Sequence, residues 1–144
     1  MEELEKLITA NLQLSNSLKN NIEKKEIEKH DQLKGISLGI IDTLDSFERV
    51  EEGLIEKDFD KNAEGNKIMS KYKTIQKKLL MILQKNGISR IEFSENKHIV
   101  GLCEVVETES DITRKNDEII SVVRNGYIRG KELIRAAQVI VVKN

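Results

Sequence analysis

The sequence predicts an α+β protein. A long N-terminal helix and a helical hairpin form a dimeric coiled coil and four-helix bundle, followed by a small C-terminal all-β wing domain. Three observations predict it. Apolar residues recur at helical spacing as far as Gly87 and at strand-like spacing from Ile88 onward. There is no proline, so the strongest helix breaker is missing from the long periodic stretch. Charged residues make up 34% of the chain and aromatic residues 3%, which is too little bulk for a self-contained globule and fits exposed, elongated helix. The expected division is a helical stem and bundle over residues 1–87, which carries dimerisation, and a β wing over residues 88–144.

The first helix is expected from about Glu2 to Leu54. Leu4, Leu7, Asn11, Leu14 and Leu18 follow alternating steps of three and four, the seam of a two-stranded coiled coil, with Asn11 as a polar seam residue that favours register. Between Asn20 and Gln32 the apolar positions thin to Ile22 and Ile27, and only local pairs such as Glu26–His30 support the helix. It then turns apolar again through Leu33, Ile36, Ile40, Ile41, Leu44, Phe47 and Val50, with Gly35 and Gly39 weakening the case for a straight rod.

The polar segment Glu56–Gly65 reads as a connection. A second helix is expected from about Asn66 to Asn86, with Ile68, Tyr72, Ile75, Leu79 and Ile82 at heptad spacing and Asn86-Gly87 as its stop. One hairpin exposes a wide apolar face, and two hairpins paired would bury it. The predicted dimer interface is therefore Leu4, Leu7, Leu14 and Leu18 in the stem, Ile40, Leu44 and Phe47 on the first bundle helix, and the five heptad residues of the second.

Strand-type pieces follow at Ile88–Phe93, Gly101–Thr108, Glu118–Arg124 and Ala136–Val142, with turn signals at Asn125-Gly126 and Gly130-Lys131. They predict a compact sheet or flattened barrel.

Composition excludes several functions. Lys and Arg number 24 against 25 Asp and Glu, without the basic excess a nucleic-acid or anionic-membrane binder needs. No run approaches the roughly 20 apolar residues of a membrane span. The single cysteine, Cys103, has no internal disulfide partner, so a soluble, cytoplasmic protein is expected. His98 and Cys103 are two plausible metal ligands where a structural zinc site uses about four, so no metal is expected. No nucleophile–base pair or phosphate-cradling glycine pattern appears, and neither an enzyme nor a cofactor is expected. Asn96 and His98 read as turn residues. Arg124, Arg129, Lys131 and Arg135 alternate around a hairpin, either as a solvated turn or as a tip that faces a partner.

Four motifs carry a family resemblance. Ile40-Ile41-Asp42-Thr43-Leu44-Asp45-Ser46-Phe47-Glu48-Arg49-Val50 resembles the Leu-Asp-Asn/Ser-Leu-Glu/Asp-Arg-Ala run on the first bundle helix of the GrpE family. Leu79 to Ile88 resembles that family's second helix, and Phe93-Ser94-Glu95-Asn96-Lys97-His98 resembles its following turn. Val123 to Val139 is similar to its C-terminal hairpin without a gap. The likeness runs from about Leu33 to Asn144 and is thin before that. It departs from the family where a proline is replaced by Asp42, an Asp-Pro pair by Ser94-Glu95, and a hairpin arginine by Glu132.

The resemblance implies a homodimeric co-chaperone that speeds adenine nucleotide exchange on the ATPase domain of a DnaK-type chaperone. The implied chaperone contacts are Arg49 and Glu52 on the bundle, and Val123, Lys131, Glu132 and Val141 on the wing. It also implies a stem that unzips on heating, for which Asn20–Gln32 is the weak stretch. The alternative is a dimeric coiled-coil adaptor that keeps the fold with weak or no exchange activity.

Overall fold

A computed structural model describes all 144 residues, which fall into two compact units, Met1–Ser37 and Leu38–Asn144. Helix α1 (Glu2–Glu56) begins with Glu2, Glu3 and Glu5 in its first turn, where the helix dipole favours negative charge. It continues through Gly35 and Gly39 without a break.

In the first unit every residue from Met1 to Lys29 is exposed. The seam residues Leu4, Leu7, Leu14 and Leu18 are each 54–61% accessible, and Ile22 and Ile27 are open as well. Such a helix has no apolar contact of its own to hold it.

In the second unit α1 ends at Glu56 and a 3₁₀ turn (Phe59–Lys61) leads to helix α2 (Ala63–Lys85). The start of α2 lies earlier than the expected Asn66 because Asn62 caps it, its side chain accepting from the Gly65 amide at 2.6 Å. A Cβ on Gly65 would lie 1.7 Å from the Phe59 carbonyl oxygen, so only glycine lets the turn approach the helix this closely. At Gly39 a Cβ meets nothing within 4 Å. Gly65→Ala should therefore lower the unfolding free energy measured by urea titration by about 1–3 kcal/mol, and Gly39→Ala should raise it by up to ~1 kcal/mol. Equal effects of the two changes would refute this reading of the turn. Gly87, at φ 78°, ends α2 in the left-handed region.

The β region forms two three-stranded sheets where one compact sheet or barrel was expected. Strands β1 (Ile88–Arg90), β4 (Tyr127–Arg129) and β5 (Glu132–Arg135) make an antiparallel sheet in the order β1-β4-β5. Strands β2 (Cys103–Glu109), β3 (Ile119–Arg124) and β6 (Ala137–Val142) make the other, with β6 central, parallel to β2 and antiparallel to β3. Gly130-Lys131 is the β4–β5 turn, as its chemistry predicts. Asn125-Gly126 is instead a crossing from one sheet to the other. A Cβ at Gly126 would lie 2.5 Å from the Ala137 amide nitrogen, so the glycine serves close approach of backbones.

Two cores result. Ile41 and Leu44 of α1, Leu83 of α2, and Ile88, Tyr127 and Ile134 of the first sheet are buried together. Ile119, Ala137, Val139 and Val141 form the second core, with Phe93 and Cys103 packed against it. The first core fastens the helices to the β region. No helix is long and apolar enough to cross a membrane.

Several expected dimer-interface residues are used inside one chain. Leu44 is fully buried in the first core and has no surface left for a second chain. Ile40 and Leu79 pack against that core. Phe47 meets Tyr72 edge-on at 5.6 Å, closing the helical hairpin. Ile68, Ile75 and Ile82 remain exposed on α2.

Candidate partner-contact surface

Ile41 and Leu44 enter the first core, which brings the next residues on that helical face, Asp45 and Glu48, to the rim where α1 meets the β region. Across from them, strand register sets Arg90, Tyr127 and Arg135 in one row: Arg90 pairs with Tyr127, and Tyr127 with Arg135. Both guanidinium groups lie over the Tyr127 ring, at 5.9 and 5.5 Å from its centre.

The arginines reach the two carboxylates. Arg135 Nη1 donates to Asp45 Oδ2 at 2.6 Å and Nη2 to Oδ1 at 2.9 Å, a planar two-point pair. Arg124 Nε lies 3.5 Å from the same carboxylate. Arg90 Nη2 and the Asn125 side-chain amide each donate to Glu48 Oε1 at 3.0 Å. Arg135 also donates to the Asn125 carbonyl from Nε and Nη2, at 3.1 and 2.6 Å. The Arg135 and Asp45 side chains are only 10% and 16% accessible.

Environment drives these carboxyls apart. Partial burial acts to raise Asp45, but the hydrogen bonds and charge of Arg135 and the charge of Arg124 outweigh it and hold the group below the ordinary aspartate range. Burial dominates at Glu48 and pushes it up against the Arg90 charge and the Asn125 hydrogen bond, helped by the nearby charges of Asp45 and Glu52. Tyr127 is raised by burial, with the Arg90 hydrogen bond opposing.

A depressed Asp45 contributes stability that is present above about pH 4 and lost as pH falls through its folded value. A raised Glu48 contributes the opposite way. Its share is full below about pH 4.3 and disappears as pH rises through its folded value. Thermal melts from pH 3 to 7 should therefore show less acid-side loss in Asp45→Asn than in the wild type. Glu48→Gln should lack the small decline above about pH 4.3. Curves that run parallel at every pH would contradict both assignments.

Beside this network lies a cleft of about 280 Å³ lined by Asp42, Asp45, Glu48, Arg49 and Glu52 of α1 and by Val123, Arg124 and Gln138 of the second sheet. It brings together three of the six expected partner contacts, Arg49, Glu52 and Val123, all exposed. Arg49 Nη2 is 3.3 Å from the Ser46 hydroxyl. Lys131 and Glu132 lie apart from the cleft at the β4–β5 turn, Lys131 exposed and Glu132 half-buried as the first residue of β5.

Val141 is 3% accessible in the second core, so it has no surface to offer a partner. The sequence reading missed Asp45, Glu48, Arg90, Asn125 and Arg135 as one network. Arg135 is neither in a solvated turn nor at a partner-facing tip but points back into the chain's own helix. No three His, Cys, Asp or Glu side chains converge as a metal set.

A family model described as GrpE matches residues 1–143. The chain belongs to the GrpE family. Among curated GrpE-family relatives, Protein GrpE of Fusobacterium nucleatum subsp. nucleatum is 33% identical over 134 residues, spanning 85% of this chain and 61% of the relative. Protein GrpE of Methanosphaera stadtmanae is 32% identical over 125 residues, covering 85% and 69%. Protein GrpE of Brachyspira hyodysenteriae is 29% identical over 134 residues, covering 85% and 62%. The match thus takes in 61–69% of the length of these GrpE relatives. The match reaches back through the stem, beyond the stretch where the motifs were clear.

Proposed function

We propose that this chain is a non-enzymatic co-chaperone that acts as a homodimer to promote ADP release from the ATPase domain of a DnaK-type chaperone. The observation that carries the reading is the GrpE family match over residues 1–143. The mechanism is differential binding. A factor that binds the open, nucleotide-free ATPase more tightly than the ADP-bound form must, by linkage, weaken ADP by the same factor. The cleft carrying Arg49, Glu52 and Val123 is the contact surface on this chain, with Lys131 and Glu132 as a second contact at the hairpin tip. The exposed stem seam pairs with a second copy, and its thin stretch Asn20–Gln32 is where heating opens it first. A DnaK-type partner carries a cytoplasmic location with it.

Stopped-flow release of a fluorescent ADP from such an ATPase domain tests the reading. Acceleration by this protein, weakened at least tenfold in half-saturating concentration by Arg49→Glu, is the expected result; about 1.4 kcal/mol of lost contact suffices for that. Unchanged release at saturating protein would refute it.

A further inference from the structure

Two features of the Asp45 network go beyond ordinary bracing. The first is what it gathers. Arg124 ends β3 in the second sheet, Asn125 begins the crossing into the first, and Arg135 ends β5 immediately before the chain returns through Ala136 to β6. Asp45 and Glu48 thus hold two of the three points at which the backbone passes from sheet to sheet, β3 to β4 and β5 to β6. The second is what lies next to it. Arg49 and Glu52 follow Asp45 and Glu48 by one helical turn each, and Val123 precedes Arg124 directly, all on the same cleft.

The apolar core already fastens α1 to the first sheet, but apolar burial is non-directional and tolerates small rotations. A planar two-point arginine pair is directional, and Arg135 directs two further donors, from Nε and Nη2, to the Asn125 carbonyl. That geometry fixes an angle as well as a separation.

We propose that Asp45 is a positioning residue. Through Arg135 and Arg124 it sets the orientation of the β region on α1, and so presents Arg49, Glu52 and Val123 to the partner as one preformed surface. The proposal rests on the exchange-factor reading of the cleft. When the latch is lost, the unit samples several orientations and only a fraction of molecules is ready to bind. Apparent affinity then falls by that fraction, while a partner that does dock still selects the competent arrangement.

The test uses the full chain with Cys103→Ser and cysteines placed at Thr43 on α1 and Glu107 on β2 for spin labels, diluted with unlabelled protomer. Asp45→Asn removes the charge. Arg135→Lys keeps the charge and removes the fork, and it also secures the test if Asp45→Asn fails to fold. The expected result is a broadened label-to-label distance distribution in both variants. In the ADP-release assay the half-saturating concentration should rise about tenfold with the maximal rate retained, as for a competent fraction near one tenth. A distribution as narrow as the wild type overturns the proposal. So does a broadened distribution with unchanged half-saturation, and so does a loss of maximal rate alone. A wild type that never accelerates ADP release sinks the exchange reading and the positioning role with it. That failure is told apart from failure of the latch by the distance measurement, which needs no chaperone.

Discussion

Tyr127→Ala should destabilise the chain by about 3–5 kcal/mol, a large part of the ~5–15 kcal/mol that holds a typical domain together. Tyr127 is fully buried and lies among Ile41, Leu44, Leu83, Ile88 and Ile134, so its ring touches both helices and the first sheet. It is the only aromatic residue in that core, and no small neighbour can collapse into its volume. The ring also carries the Arg90 and Arg135 guanidiniums on its face, and its loss frees both from their seat. The hydroxyl matters far less. Its contact with Arg90 is 3.5 Å, at the outer limit of a hydrogen bond, so Tyr127→Phe should cost under about 1 kcal/mol. Urea unfolding followed by circular dichroism, at one fixed protomer concentration, separates the two variants. If alanine and phenylalanine cost the same, the ring is not what joins helices to sheet.

Much of this architecture could be read in advance, and the places where it could not share a cause. Helices α1 and α2 were visible because their apolar period is sustained and no proline interrupts it. The start of α2 is hidden in the sequence because Asn62-Ala63-Glu64-Gly65 looks like loop, and the capping role of Asn62 depends on the 3₁₀ turn folding back onto Gly65. Strands β2 and β6 are visible from β-branched alternation in Gly101–Thr108 and Ala136–Val142. Strands β4 and β5 were not, since Tyr127–Arg129 and Glu132–Arg135 are short and flank strong turn signals.

Heptad spacing marks a face as apolar without saying which chain covers it. Hence the heptad pattern points Leu44 at a second protomer although Leu83, Ile88 and Tyr127 of its own chain are buried with it. The carboxylates Asp45 and Glu48 were in plain view one turn apart. Their partners were not, because Arg135 lies ninety positions along the chain from Asp45 and only the sheet crossing brings it back. Charge in a hairpin reads as solvated until the fold shows what it faces.

Leu7→Gln combined with Leu14→Gln should weaken self-association about a thousandfold. Glutamine keeps helix propensity close to that of leucine, so the change acts on the seam and not on the helix. Both leucines are 60–61% accessible in the single chain. Burying the exposed part of each is worth about 1 kcal/mol, and a dimer loses each side chain twice, which puts the total near 4 kcal/mol. Nothing else supports this segment. An isolated helix is marginal in water unless a packed face holds it, and residues from Met1 to Lys29 pack on nothing. Sedimentation equilibrium should show a concentration-dependent monomer in the double variant, and far-ultraviolet circular dichroism should show helix lost with it. The control is Lys6→Gln, which leaves the seam intact and should change neither. A dimer that survives the seam variant but dissociates with Ile75→Gln would move the interface to the exposed stripe of Ile68, Ile75 and Ile82 on α2. The stem would then have to find its partner in something other than a second copy of itself.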